Sequence, residues 1–139
     1  MIEETSAGIV LFRRENGKLL FLLLHYPSGH WDFVKGKMEN SESPHETAIR
    51  ETREETGITD VKFLEGFEEW IRYNFQFEGQ LVDKKVVFFL GETQTKDVKI
   101  SHEHLNFIWM DFVTAMEKTT FDNAKTILSK AYSLLTKTL

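Results

Sequence analysis

The chain has no cysteine, only 2 prolines and no long hydrophobic run. Without cysteine there can be no disulfide, no thiolate nucleophile and no Cys-ligated zinc or iron–sulfur centre. Its longest apolar stretch, Leu19 to Leu24, falls far short of the roughly 20 residues that cross a bilayer. Met1-Ile2-Glu3-Glu4 lacks the basic start and apolar stretch of a secretory signal, so a cytoplasmic protein with no membrane partner is expected. Net positive charge is also missing. The 17 Lys and Arg face 22 Asp and Glu, a net charge of −5. Long nucleic acid is therefore not an expected partner, although a local basic pocket is compatible with this balance. What is present, 139 residues of which 41% are hydrophobic, suffices for one domain over 1–139 with its own core. No repeat, linker or low-complexity tract divides it.

Two short apolar runs, Gly8–Phe12 and Lys18–Leu24, flank Glu15-Asn16-Gly17, and Asn-Gly in that setting predicts a β-hairpin. Both runs are apolar without alternation, so both faces of their sheet should be covered by helices. Ser43, Pro44 and Glu46 spell a capped helix start, with Gly57 as its left-handed stop. Val61 to Phe77 reads as extended, Glu78-Gly79 as a turn, Val86–Leu90 as a buried strand and Asn106–Met110 as a shorter one. Asp111 caps a brief helix over Phe112 to Lys118. Ala124, Ile127, Leu128, Ala131, Leu134 and Leu135 recur at helical spacing and predict a last helix with one apolar face. The whole predicts an α+β fold, a mixed sheet between helices.

The helix from Pro44 carries the chemistry. At ~100° per residue, Glu51, Glu54 and Glu55 fall within an arc of about 100°, while Ile49, Thr52 and Thr56 fall on the opposite, packing side. Like charges at i,i+4 oppose helix formation, so Glu51 and Glu55 need an offsetting partner. A hard divalent cation bridging carboxylates to phosphate supplies one. A solvated acidic face is the ordinary reading of such a helix; the one-sided cluster, the full set of caps and the glycine loop before it weigh against that here.

Gly36, Glu42, Arg50, Glu51, Glu54, Glu55, Gly57 and Ile58 follow the spacing G-x5-E-x7-R-E-x-x-E-E-x-G-I, which resembles the Nudix box. The resemblance implies an α/β/α sandwich around a mixed sheet and divalent-metal-dependent hydrolysis of a nucleoside diphosphate linked to another group. It implies that Glu51, Glu54, Glu55 and the Gly36 carbonyl hold the metal, Mg²⁺ with Mn²⁺ as the alternative, and that Glu42 and Arg50 form a supporting ion pair. Thr52 stands where the family is usually aliphatic.

The flanks His30-Trp31-Asp32-Phe33-Val34-Lys35 and Ser101-His102-Glu103-His104 make the chain similar to the asymmetrical bis(5′-nucleosyl)-tetraphosphatase branch. There the implied reaction is cleavage of diadenosine tetraphosphate to ATP and AMP by in-line attack of a metal-activated water. Val34, Lys37, Asn40-Ser41 and Phe88 depart from that branch, where Pro, His, Pro-Gly and Tyr are common. Lys35 is the cation expected to stabilise the leaving phosphate, and Glu54 or Glu103 the base, with Glu103 also a candidate metal ligand. A substrate with about four negative charges needs cations. His30, Lys35, Lys37, Lys84 and Lys85 are the candidates, Lys84 and Lys85 serving equally well as edge-strand protection. Tyr73, Phe88 and Phe121 are the candidate faces for a stacked base. Trp31, Trp70, Phe77, Trp109 and Phe112 are expected to pack, and His102 and His104 to be ordinary loop residues. Two other readings stay open: hydrolysis of the triphosphate end of RNA, and a silent nucleotide-binding domain. The oligomeric state is not legible in the sequence.

Overall fold

Asn16 (φ 52) and Gly17 (φ 79) form the left-handed pair that folds strand β1 (Ile2–Glu15) back onto β2 (Lys18–His25), pairing Phe12 with Phe21 and Glu15 with Lys18. Such a turn matches the twist of the strands it joins. The computed structural model describes residues 1–137. Beyond Phe12 and Phe21 the two strands part. Into the opening runs the chain of β3 (Trp31–Asp32), which pairs with β2, and β4 (Val34–Lys37), which pairs with β1. Phe33, fully buried, marks the crossing point.

The other edge of β1 lies parallel to β7 (Gln80–Glu92), from Ile2 opposite Val82 to Phe12 opposite Glu92. Outside β7 lie the two-residue β5 (Lys62–Phe63) and the long β6 (Glu69–Phe77), and β8 (Asn106–Met110) closes the far side against β2. The extended stretch expected from Val61 to Phe77 is thus interrupted. Gly66, at φ 85, turns the chain, and Phe67 buries itself in the core.

Successive side chains of a strand point to opposite faces, which explains the unbroken apolar runs. Val10, Phe12, Val86, Phe88 and Leu90 meet α3 (Asp122–Thr136) and α2 (Phe112–Lys118) on one face. Ala7, Ile9, Leu11, Val87 and Phe89 meet α1 (Pro44–Thr56) on the other. The mixed eight-stranded sheet between helices is the expected α+β architecture. Among the described residues no helix is long and apolar enough to cross a membrane.

Several packing expectations are corrected. Ile49 is 46% exposed, and α1 packs instead through Thr47, Ala48, Thr52, Thr56 and Glu55. Thr52 and Thr56 tolerate burial because their hydroxyls donate to the carbonyls of Ala48 (2.7 Å) and Thr52 (2.6 Å). Trp70 and Phe77, expected to pack, are 49% and 59% exposed; both lie on the outer strand β6, which among the described residues pairs with β7 alone. Nor do Lys84 and Lys85 guard an edge: β7 is flanked by β1 and β6.

Gly8 is where β1, β4 and β7 press closest. A Cβ there would lie 2.2 Å from the Val34 carbonyl oxygen and 2.9 Å from the Phe88 ring. Neither backbone nor core ring can give way cheaply, so Gly8→Ala is expected to destabilise by about 1–3 kcal/mol. Urea unfolding checks it: the midpoint should fall with the slope unchanged.

Candidate active site

Helix α1 is fixed before its side chains do anything. Ser43 Oγ accepts from the Glu46 amide at 3.2 Å and the Ser43 amide donates to Glu46 Oε1 at 2.8 Å, with Pro44 in the first turn. Gly57, at φ 77, closes the other end. Both ends being tied, residues 50–55 project at set angles.

Arg50 is the hub. Its Nε donates to Glu42 Oε2 at 2.7 Å and its Nη2 to Glu42 Oε1 at 3.1 Å and to the Lys37 carbonyl at 2.9 Å. Its Nη1 reaches Glu51 at 2.8 Å, Glu54 at 3.2 Å and Glu39 at 3.3 Å. The Arg50 bond, helped by the Glu39 amide, holds the Glu42 carboxyl down to about 2. The bond to Glu42 likewise raises the Arg50 guanidinium, against some desolvation. The expected Glu42–Arg50 pair is therefore present, and it extends to two of the three box glutamates.

Gly36 sits under Glu51. A Cβ on Gly36 would lie 2.0 Å from the Glu51 carboxyl carbon, so the carboxylate occupies the space any side chain would fill. Glu55 is the opposite of a solvated acid. It is 5% exposed, and its Oε1 has no hydrogen-bond partner among the described residues. His104 Nε2 stands 3.4 Å from that oxygen, too far for a good bond. Burial first, then the bond with Glu51 and the charges of Glu51, Glu103 and Glu54, pushes the Glu55 carboxyl up to about 10. Glu54 is half exposed. Glu103 lies in the exposed loop before β8, its amide on Ser101 Oγ at 3.3 Å, and its charge acts on Glu55 and His104.

On the other side of the β1–β2 opening is a cavity of about 650 Å³, lined by Tyr26, His30, Asp32, Lys35, Ile71, Tyr73, Phe88, Phe121 and the first residues of α3. Tyr26 joins the two regions. It lines the cavity, yet its phenol, raised by burial, also feels the charges of Glu55, Asp32 and Glu51. It donates to the Phe33 carbonyl at 2.5 Å. His30 stacks on Tyr26 at 4.6 Å and lies 5.1 Å from Phe121. Burial depresses its imidazole, with Lys35 and His25 acting in the same sense against Asp32.

The other sequence candidates divide. Lys35 lines the cavity and pairs with Asp32 at 3.1 Å. Lys37 and Lys84 both pair with Glu4 at 3.2 Å. Lys84 is buried, which lowers its ammonium even though Glu4 opposes the change. Lys85 alternates to the other sheet face, beside Thr5 and Arg72. Tyr73 and Phe121 are 36% and 50% exposed, but Phe88 is 1% exposed. Edge-on to Phe33 at 5.5 Å, Phe88 offers the cavity a floor and no open face. Sequence reasoning missed Tyr26, Asp32 and His104. His104 is buried, with Ser101 Oγ 3.1 Å from its Nδ1. The pattern Ser-His-Glu-His, in which His104 directly follows Glu103, carried no signal that could have placed His104 against Glu55.

A model of the NUDIX domain matches residues 3–130. The chain belongs to the Nudix family. This Nudix chain is 32% identical to the asymmetrical bis(5′-nucleosyl)-tetraphosphatase of Mus musculus over 145 aligned positions, 96% of each protein. The crystal structure of a C. elegans Ap4A hydrolase binary complex superposes with a TM-score of 0.82 at 31% identity, covering 97% of this chain and 99% of that one. The dihydroneopterin triphosphate diphosphatase of Haemophilus influenzae is 26% identical over 90% of this chain and 85% of its own. The chain is thus a Nudix hydrolase, a pyrophosphohydrolase by family.

Nudix hydrolases generally use divalent metals, and the residues here fit one. The donors are hard carboxylate and carbonyl oxygens, suited to such ions; one of them, Glu55 Oε1, is buried without a partner among the described residues, and Glu51 lies in a cradle that only glycine leaves open. Among the described residues no three acidic or histidine side chains form a ready-made cage. Arg50 instead holds oxygens of Glu51 and Glu54.

Proposed function

We propose that this Nudix hydrolase cleaves diadenosine tetraphosphate asymmetrically, into ATP and AMP, and that Glu51, Glu54, Glu55 and the Gly36 carbonyl hold its divalent cation, Mg²⁺, with Glu103 beside them. The observation that carries the reading is the joining of two unlike regions through the β1–β2 opening. On one side stands the under-neutralised carboxylate group with the orphaned Glu55 Oε1. On the other is a cavity with aromatic walls and Lys35 in its lining.

When bound, a divalent cation supplies charge for the polyphosphate and lowers the pKa of water. The chain's own residues do the rest. Lys35, held at 3.1 Å by Asp32, presents its ammonium to the leaving phosphate, where fixed charge is most effective in the transition state. His30, fixed between Tyr26 and Phe121 with Ser28 Oγ 2.7 Å from its Nδ1, turns its other ring nitrogen to the phosphate chain. Lys37 and Lys84 reinforce the same side, each exchanging its bond to Glu4 for phosphate. Tyr73 and Phe121 stack one base, and Phe88 closes the floor beneath it.

Glu103 takes the proton of the attacking water. Among the described residues its carboxylate has no ion pair, whereas Glu54 is held by Arg50 at 3.2 Å. One tightly held nucleotide matches an attack near one end of the substrate.

Product analysis in ¹⁸O-labelled water tests this. ATP plus AMP, silenced by EDTA, is the expected result, and the labelled product names the attacked phosphorus. Two ADP molecules would overturn the asymmetric assignment. No turnover of the dinucleotide, with release of pyrophosphate from triphosphorylated RNA, would move the reading to RNA ends.

A further inference from the structure

The outer wall of the nucleotide cavity is held from a distance. Phe121 occupies the N-cap position of α3, but its side chain makes no capping bond there, and its ring is 50% exposed. The first residue of α3 to reach the core is Ala124, three positions further on. Just before Phe121, the α2–α3 connection is tied down twice. Thr119 is buried and bonds back to the Ala115 carbonyl through its hydroxyl (2.7 Å) and its amide (2.9 Å). Thr120 does something different. Its Oγ1 accepts from the Trp31 amide at 2.8 Å and its own amide donates to the Trp31 carbonyl at 3.2 Å. The two residues are 89 positions apart in sequence.

This two-point clamp lies between the two walls of the cavity. Trp31 is flanked by His30 and Asp32, Thr120 is followed by Phe121 and Asp122, and these four all line the cavity. Lys118, from the end of α2, rests on the Trp31 ring at 4.6 Å and reinforces the same junction. The two walls do not depend on the clamp equally. His30 has its own anchors: the Tyr26 ring, the Ser28 hydroxyl at 2.7 Å, and the Tyr26 amide, which donates to its carbonyl at 2.9 Å. Phe121 is held more lightly: its carbonyl accepts from the Lys125 amide at 3.0 Å within α3 and its ring lies 5.1 Å from His30, so the tie at Thr120 is what joins its backbone to the opposite wall.

We propose that Thr120 is a positioning residue for base recognition: its clamp on the Trp31 backbone sets Phe121 at stacking distance across the cavity, leaving the phosphate side to other residues. The inference rests on the reading of Phe121 as a base-stacking wall. It predicts a split by ligand. Thr120→Val keeps the branched shape and removes the acceptor. The Trp31 amide it frees is exposed enough to find water, so the fold is retained.

The test is calorimetric titration of ATP and of inorganic tripolyphosphate in EDTA, which stops turnover, with melting curves to confirm folding. Thr120→Val is expected to weaken ATP about fivefold to tenfold and tripolyphosphate by less than about twofold, with Thr120→Ser restoring ATP binding. Unchanged ATP affinity in Thr120→Val, or an equal loss for both ligands, would overturn the clamp. Phe121→Ala separates the two levels. If it leaves ATP binding intact, the stacking wall itself is wrong; if it weakens ATP while Thr120→Val does not, only the role of Thr120 falls.

Discussion

Glu55→Gln is expected to lower turnover on the order of 10³-fold while raising the melting temperature of the cation-free protein by roughly 5 °C. The two effects have one source. Glu55 is 5% exposed, with one oxygen unpartnered among the described residues, and its carboxyl is pushed from 4.5 up to about 10, chiefly by burial. The folded chain therefore keeps a proton that the unfolded chain gives up near its ordinary pKa. With more protons on the folded side, stability must fall as pH rises. The contribution is intact below about 4.5 and is lost progressively up to about 10. Glutamine has no such slope. A divalent cation reverses the balance in the wild type, because it binds the folded form and displaces the proton. Scanning calorimetry across this pH range, in EDTA and in Mg²⁺, checks both halves. A Gln variant with near-native turnover, or one still stabilised by Mg²⁺ as the wild type is, would contradict the ligand assignment.

Gly36→Ala should cost about 10²-fold in kcat with the fold kept, a separation few glycine substitutions give. The three atoms nearest the new methyl would be those of the Glu51 carboxylate, at 2.0–2.4 Å. Gly36 lies in β4 without a positive φ, so alanine's backbone preferences are not offended. What yields is the end of a flexible side chain. Glu51 swings out, its 2.8 Å bond to Arg50 is lost, and its carboxylate leaves the Gly36 carbonyl. Nucleotide affinity should change little, because the cavity lies across the opening. Steady-state kinetics with Mg²⁺ titration reads this as a fall in kcat and a weaker cation dependence. A Gly36→Ala enzyme with native kcat would show that Glu51 does not work from this cradle.

The contrast between Gly36 and Lys84 shows what the sequence makes legible. Local rules recover the hairpin at Asn16-Gly17, both ends of α1, the Asp111-capped helix and the Glu42–Arg50 pair, because each depends on residues close in the chain or on a fixed motif. Lys84 could be read as a surface cation, but burial between β1 and β6 is decided by strand order, which lysine spacing does not encode. Ile49 fails for a related reason. A helical wheel gives the angle between faces, and the sheet decides which angle is covered; here it chose threonines able to satisfy themselves. Tyr26, Asp32, His104 and Thr120 share a third obstacle. Each matters through a partner brought near by folding, which neither its neighbours nor the flanking motifs that hold Asp32 and His104 disclose.

Arg50 gives the acidic helix its own internal counter-ion. Four carboxylates draw on one guanidinium through bonds of 2.7–3.3 Å, so part of the repulsion on that face is met by the polypeptide itself. Assembly of the domain and loading of its metal then become separate events in time. The chain can leave the ribosome, fold and wait, with Glu55 protonated, and become competent when the ion arrives.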